Sequence, residues 1–176
     1  MKSLALCAAL LVVVGSQSLV AQSATPPDRG RLVSAAREVM KQARYCTLVT
    51  VGDDGQPQAR IVDPSEPDAD FTVWVGTNTL TRKVAQLRKN PQVTLLYFDK
   101  ATLSYVTLLG SGTLVADPVE KEKHWQTKWA PFFRDGSKSP NLVFIRFKPD
   151  KLEIVSAPHK LANDPQTWRP VTLDLK

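Results

Sequence analysis

Residues 71–91 read FTVWVGTNTLTRKVAQLRKNP. A β-prone apolar run, Phe71 to Val75, ends in Gly76. Three threonines follow, Thr77, Thr79 and Thr81, and then the adjacent bases Arg82 and Lys83. Leu80, Val84 and Leu87 recur at helical spacing, so a helix is expected to open across the threonines. Asn90-Pro91 closes it, because a residue before proline is pushed out of the α region. A strand that runs into a helix N-terminus puts free backbone N–H groups and the positive end of the dipole at one spot, which suits an anion. Hydroxyls and two cations beside it suit a phosphate monoester. An ordinary threonine-capped helix with solvated bases carries the same residues, and the motif alone leaves both readings open.

Upstream, Asp28 to Arg44 reads as a helix with Leu32, Ala35, Ala36, Val39, Met40 and Ala43 on one face. Cys46 to Val51 is a β-prone run, and Asp53-Asp54-Gly55 is a hairpin turn. The returning strand, Gln58 to Val62, alternates Ala59 and Ile61 with Arg60 and Val62. Downstream, Gln92 to Phe98 is a fourth strand, and Leu103 to Val115 is a long run broken at Gly110–Gly112, where a bulge or bend is expected. Asp117-Pro118 starts a helix expected to carry Trp125 and Trp129 one turn apart. Two late strands, Leu142 to Phe147 and Leu152 to Val155, flank Pro149-Asp150, and residues 158–176 read as an extended tail. Strands predominate, so the fold class is mainly β (α+β), a small closed β-barrel with flanking helices.

The chain has 176 residues, one domain with a short extra at its start. Lys2 precedes an apolar run from Leu4 to Val14, and small residues lead to Ala21–Ala24. This is a signal-peptide plan over residues 1–24, with the domain at 25–157. The apolar run is too short to span a bilayer, so no stable membrane insertion is expected. Lys2 is the only base there, which gives no twin-arginine signal and implies export of an unfolded chain to the periplasm or the exterior. Removing one lysine takes the formal charge from +6 to +5. The bases are dispersed, so nucleic acid is not an expected partner. Only Cys46 remains in the mature chain and cannot form an internal disulfide; a buried, inert thiol is expected. With two histidines, no metal-ligand spacing and no catalytic triad can be assembled.

The combination of TLVTVGDDGQPQAR (47–60), VGTNTLTRKVAQLRKNPQVTLLYFD (75–99), LVADPVEKEKHW (114–125) and WAPFFRDGSKSPNLVFIRFKP (129–149), in this order, resembles the flavin-binding split-barrel proteins, the pyridoxamine 5′-phosphate oxidase-like superfamily. Within it the chain is most similar to the general stress protein branch, over about residues 30–156. The resemblance implies an FMN-binding split β-barrel homodimer, with the cofactor in a cleft between subunits. FAD or another phosphate-bearing flavin fits the same pattern. Carried over residue by residue, Arg60 matches the strand arginine that meets the flavin. Thr77 matches the threonine after the third strand, and Thr81, Arg82 and Lys83 match the Ser/Thr-Arg-Lys group that holds the phosphate. Arginine offers a bidentate fork and lysine a mobile point charge to a dianion. The oxidase itself carries a lysine where this chain has Ser65, after a strand-ending Pro64, and its C-terminal substrate motif is not recognisable in residues 158–176. True pyridoxamine phosphate oxidase activity is therefore not expected. Trp125, Trp129, Phe132 and Phe133 suit core packing, with a ring pocket facing the partner as the other reading.

Three functions follow from the resemblance. An FMN-dependent oxidoreductase acting on an unnamed small redox substrate needs no side-chain acid or base, because the cofactor does the chemistry. A non-catalytic flavin store, carrier or stress-related sensor needs only the binding site. A variant of the same fold would bind haem or a deazaflavin instead; haem would need His124 or His159 as an axial ligand, and a tail histidine is ordinarily solvated. Fold alone does not choose among them.

Overall fold

The computed structural model describes residues 28–176, and the leader expected over 1–24 lies outside them. Helix α1 (Arg29–Ala43) buries Leu32, Ala35, Ala36, Val39 and Met40, an i, i+3, i+4 stripe that faces the sheet. Arg44, at φ 60°, turns the chain out of the helix. Strands β1 (Cys46–Val51) and β2 (Pro57–Val62) form the expected hairpin, and Gly55 takes φ 80° at its tip. Then come β3 (Val73–Asn78), α2 (Arg82–Lys89), β4 (Gln92–Asp99), β5 (Ser104–Val115), α3 (Pro118–His124), β6 (Leu142–Val155) and β7 (Val171–Asp174). The strands form one antiparallel sheet in the order β2-β1-β4-β5-β6-β3, with β7 beside β6. Its edges, β2 and β3, are bridged just beyond β2, where the Ser65 N–H donates to Trp74 O at 2.8 Å. This is the expected mainly antiparallel split barrel with flanking helices.

Four expectations need correction. β3 begins at Val73 and runs on through Gly76 and Thr77 to Asn78, so the helix starts only at Arg82. Leu80 is 90% exposed in the turn between them and belongs to no helical face. α3 ends at His124, so Trp125 and Trp129 do not share a helix; Trp129 lies in a 3₁₀ turn, Thr127–Phe132. The two late strands are one, because Pro149 sits inside β6 at a bulge opposite Gly110. β3 pairs with β6 only up to Phe147 and β7 only from Lys151, so the missing N–H of Pro149 breaks no ladder on that edge. The tail expected over residues 158–176 includes an extended strand, β7, which pairs with β6, and Leu161 is buried in the core.

Two apolar clusters hold the molecule together. The larger fills the barrel under α1, with Leu48, Leu95, Leu108, Phe147, Leu152 and Ile154 fully enclosed. The smaller joins Trp74, Trp129, Phe133, Leu142 and Phe144 and fastens the aromatic segment over β3 and β6. Trp129 also donates its indole N–H to Asp63 O at 3.2 Å, which pins that segment across the split of the barrel.

Candidate functional site

A cleft of about 490 Å³ opens at this split. β2 and its exit contribute Ile61, Val62 and Asp63, β3 contributes Gly76, Thr77 and Asn78, and α2 contributes Lys83. Trp129, Phe132 and Phe133 form an aromatic wall, so the segment serves as core and pocket at once. Phe132 is 75% exposed at the rim, beside exposed Tyr45 and Ile61.

The expected anion site lies at one end of this cleft. Thr81 is the N-cap of α2, yet its side chain makes no capping bond. Its hydroxyl instead donates to Asn78 O at 2.9 Å and lies 3.4 Å from the buried Thr77 hydroxyl. The first turn of α2 holds no acidic residue, so its free N–H groups and dipole are open to an outside acceptor. Arg60 reaches this end from β2 and donates to Thr50 Oγ1 (2.6 Å), Gln86 Oε1 (3.2 Å) and Leu48 O (3.4 Å). Burial, and then the charge of Arg82, lower the pKa of Arg60. Burial, and then Arg60, lower that of Lys83. Among the described residues no carboxylate pairs with Arg60, Arg82 or Lys83. Three cations without a paired carboxylate, Arg60 lying near both Arg82 and Lys83, stand next to an uncapped helix start and fit a bound phosphate dianion.

The five expected residues divide by position. Thr77 and Lys83 line the cleft. Arg60 and Thr81 stand behind that lining, tied to the barrel and to Asn78. Arg82 is exposed and lines a neighbouring cavity with Asp53, Asp54, Gln58 and Gln86. The sequence reading missed Gln86, which is buried in α2 and accepts from both Thr50 and Arg60. A buried glutamine facing an arginine is visible only once β2 and α2 are packed. Ser65 does not reach the cleft; its hydroxyl accepts from Trp74 N at 3.0 Å and donates to Glu66 O at 2.8 Å. Instead Lys128, distant in sequence, brings its ammonium to Asp63 (2.8 Å) and Pro64 O (2.6 Å).

Both histidines are engaged elsewhere. His124 stacks on Trp74 with ring centroids 3.6 Å apart, and His159 bonds Ser156 and Glu38. Neither lines the cleft. Cys46 is 2% exposed, and burial pushes its thiol up to about 12, so it is not a nucleophile at neutral pH.

Comparison with known proteins gives one consistent picture. General stress protein 26 of Bacillus subtilis (strain 168) is 27% identical over 141 residues, which are 78% of this chain and 92% of that protein. A Clostridium acetobutylicum protein related to general stress protein 26 superposes with a TM-score of 0.70 at 20% identity, covering 84% of this chain and 96% of its own. A pyridoxamine 5′-phosphate oxidase-related, FMN-binding protein of Nostoc punctiforme PCC 73102 superposes with a TM-score of 0.56 at 16% identity, covering 86% and 98%. The family model described as pyridoxamine 5′-phosphate oxidase matches residues 32–156, and with most of the barrel matched the chain belongs to that family, alongside the general stress proteins.

Proposed function

We propose that the protein binds FMN in the cleft between β2, β3 and the aromatic segment, and that it is an FMN-dependent oxidoreductase other than pyridoxamine phosphate oxidase. The observation that carries this reading is the uncompensated cationic cluster Arg60, Arg82 and Lys83 at the uncapped start of α2, beside an aromatic-walled cleft. Lys83 and the first-turn N–H groups of α2 hold the phosphate, the Thr77 hydroxyl adds a hydrogen bond, and Arg60 supplies charge from behind. The flavin ring, when bound, supplies the redox chemistry. The protein's part is to orient it against Trp129 and to limit water at the ring.

The site is completed by a second copy of the chain. Leu96 and Phe98 on β4 and Ile61 on β2 are exposed, and the register sets Ile61 beside Thr47 and Thr47 beside Leu96. An apolar sheet face of this kind, continuous with the cleft rim at Ile61 and Tyr45, suits an isologous dimer. Among the described residues no helix is long and apolar enough to cross a membrane. The leader plan of residues 1–24 supports export, so the mature chain takes up its flavin outside the cytoplasm.

The test is titration of the mature protein with FMN and riboflavin, followed by anaerobic reduction and stopped-flow reoxidation with quinones and small oxidants. FMN should bind roughly tenfold or more tighter than riboflavin, the worth of one charge-assisted phosphate contact. Repeated turnover of an acceptor supports the enzyme. Stable binding without turnover leaves a flavin store or sensor, and no flavin binding overturns both.

A further inference from the structure

Every group that holds Arg60 is uncharged. Its Nη1 donates to Thr50 Oγ1 (2.6 Å) and Leu48 O (3.4 Å), and its Nη2 donates to Gln86 Oε1 (3.2 Å). Thr50 is fully buried on β1 and Gln86 is 7% exposed on α2, so packing fixes both side chains. The Thr50 hydroxyl gives its own proton to the same Gln86 oxygen, which therefore accepts twice. A guanidinium only donates, so the Gln86 amide is oriented with its oxygen toward Arg60.

A glutamate at this position would have the same shape and would grip Arg60 harder, because hydrogen bonds to ionised partners are roughly twice as strong as neutral ones. It would also cancel the charge. The amide fixes the guanidinium and leaves that charge whole. Two carboxylates, Asp53 and Asp54, line the cavity that Gln86 shares with Arg82, but both are turned to other partners. Asp53 pairs with Lys89 at 2.5 Å, and Asp54 accepts from Gln56 N at 3.0 Å. The uncancelled charge is felt across the site: burial first, and then Arg60, hold Lys83 below its ordinary pKa of 10.5.

Granted the phosphate reading of the cleft, we infer that Gln86, seconded by Thr50, sets the specificity of the site for a doubly charged phosphate by positioning Arg60 through uncharged oxygens. Both are positioning residues. They act through Arg60 and do not touch the ligand. Their effect falls on the phosphate of the flavin and spares its ring.

The experiment titrates the mature protein with FMN and riboflavin over a range of salt concentrations. Alongside it, competitive amine labelling of the flavin-free protein follows the titration of Lys83, with and without inorganic phosphate. Gln86→Glu keeps the acceptor and cancels the charge. It should weaken FMN roughly tenfold, leave riboflavin within about twofold, and flatten the salt dependence of FMN binding. It should also raise the Lys83 pKa toward 10.5 and reduce the protection that phosphate gives Lys83. Gln86→Met keeps the charge and removes the acceptor. It should weaken FMN about fivefold with the salt dependence unchanged and no rise in the Lys83 pKa. Thr50→Val, which removes the other side-chain oxygen at constant shape, should repeat that pattern and stands in for Gln86→Met if the latter does not fold. Four results would overturn the assignment: equal losses of FMN and riboflavin, Gln86→Glu binding FMN as the wild type does, a Lys83 titration unmoved by Gln86→Glu, or phosphate protecting Lys83 equally in both proteins. A wild type that bound no flavin would defeat the cofactor reading alone, because the labelling with inorganic phosphate needs no flavin and decides this one separately.

Discussion

Lys83 is the residue on which the site can be tested most directly. It lines the cleft, while burial and the nearby charge of Arg60 hold its pKa below the ordinary 10.5. Lys83→Gln should weaken FMN by at least about tenfold and leave riboflavin almost untouched, as one lost charge-assisted contact requires. Arg82→Gln, on the side of the neighbouring cavity, should cost less. Competitive titration of the two flavins reads both effects. The same depressed pKa has a consequence for the free protein. The unfolded chain binds the Lys83 proton more tightly than the folded one, so the stability penalty is complete below the folded pKa. It is relieved as pH rises through that value toward 10.5. Lys83→Met should therefore raise the melting temperature of the flavin-free protein at neutral pH. It should also flatten the alkaline part of the melting profile, which thermal scans from neutral pH to about 10.5 would show. An unchanged profile would mean that water, not the protein, solvates this ammonium.

Among the elements, the β5–β6 pair sets the tightest constraint. A Cβ at Gly110 would lie 2.1 Å from Lys148 O and 2.6 Å from Pro149 Cα, both backbone atoms that a rotamer change cannot move. Gly110→Ala should cost about 3 kcal/mol, the upper part of the overpacking range, and lower the melting temperature by about 6–12 °C. Gly55→Ala, with open space around it, suffers only from its positive φ and should cost less. These two glycines also show how far the elements were legible. The hairpin at Gly55, the bounds of β1 and the apolar stripe of α1 follow from local periodicity and turn chemistry, and they match. By sequence Pro149 reads as a strand break, because its φ and missing N–H usually mean one. Its tolerance comes from the gap between β3 and β7 on the facing edge, which no local pattern encodes. Leu80 looked helical by spacing alone, but β3 continued past Gly76 and left it in the turn. At the site, Thr77, Thr81, Arg82 and Lys83 are contiguous enough to be read together. Gln86, Thr50 and Lys128 are not, since only the packed barrel brings them to Arg60 and Asp63.

At the scale of the whole molecule, the proposed dimer ties the outer sheet face to the cleft. Leu96→Glu with Phe98→Glu leaves the core side of β4 unchanged and places like charges across the proposed two-fold contact. Sedimentation should show a dimer for the wild type and a monomer for this variant, and FMN affinity should fall at least about tenfold if the proposed contact covers the rim at Ile61 and Tyr45. A dimer that persists would place the interface elsewhere. The position of β6 in this architecture also dictates a timetable. It is the partner of β5 on one edge and of β3 and β7 on the other, so Asn78 waits for Leu142 and Val73 waits for Phe147. As the chain is made from its N-terminus, β2, β1, β4 and β5 can meander together early, but β3 has no neighbour until β6 arrives. Pairings this distant form slowly and late. Closure of the barrel is therefore withheld until the last third of the chain has been made, and the nascent protein stays pliable until β6 is there to join its two halves.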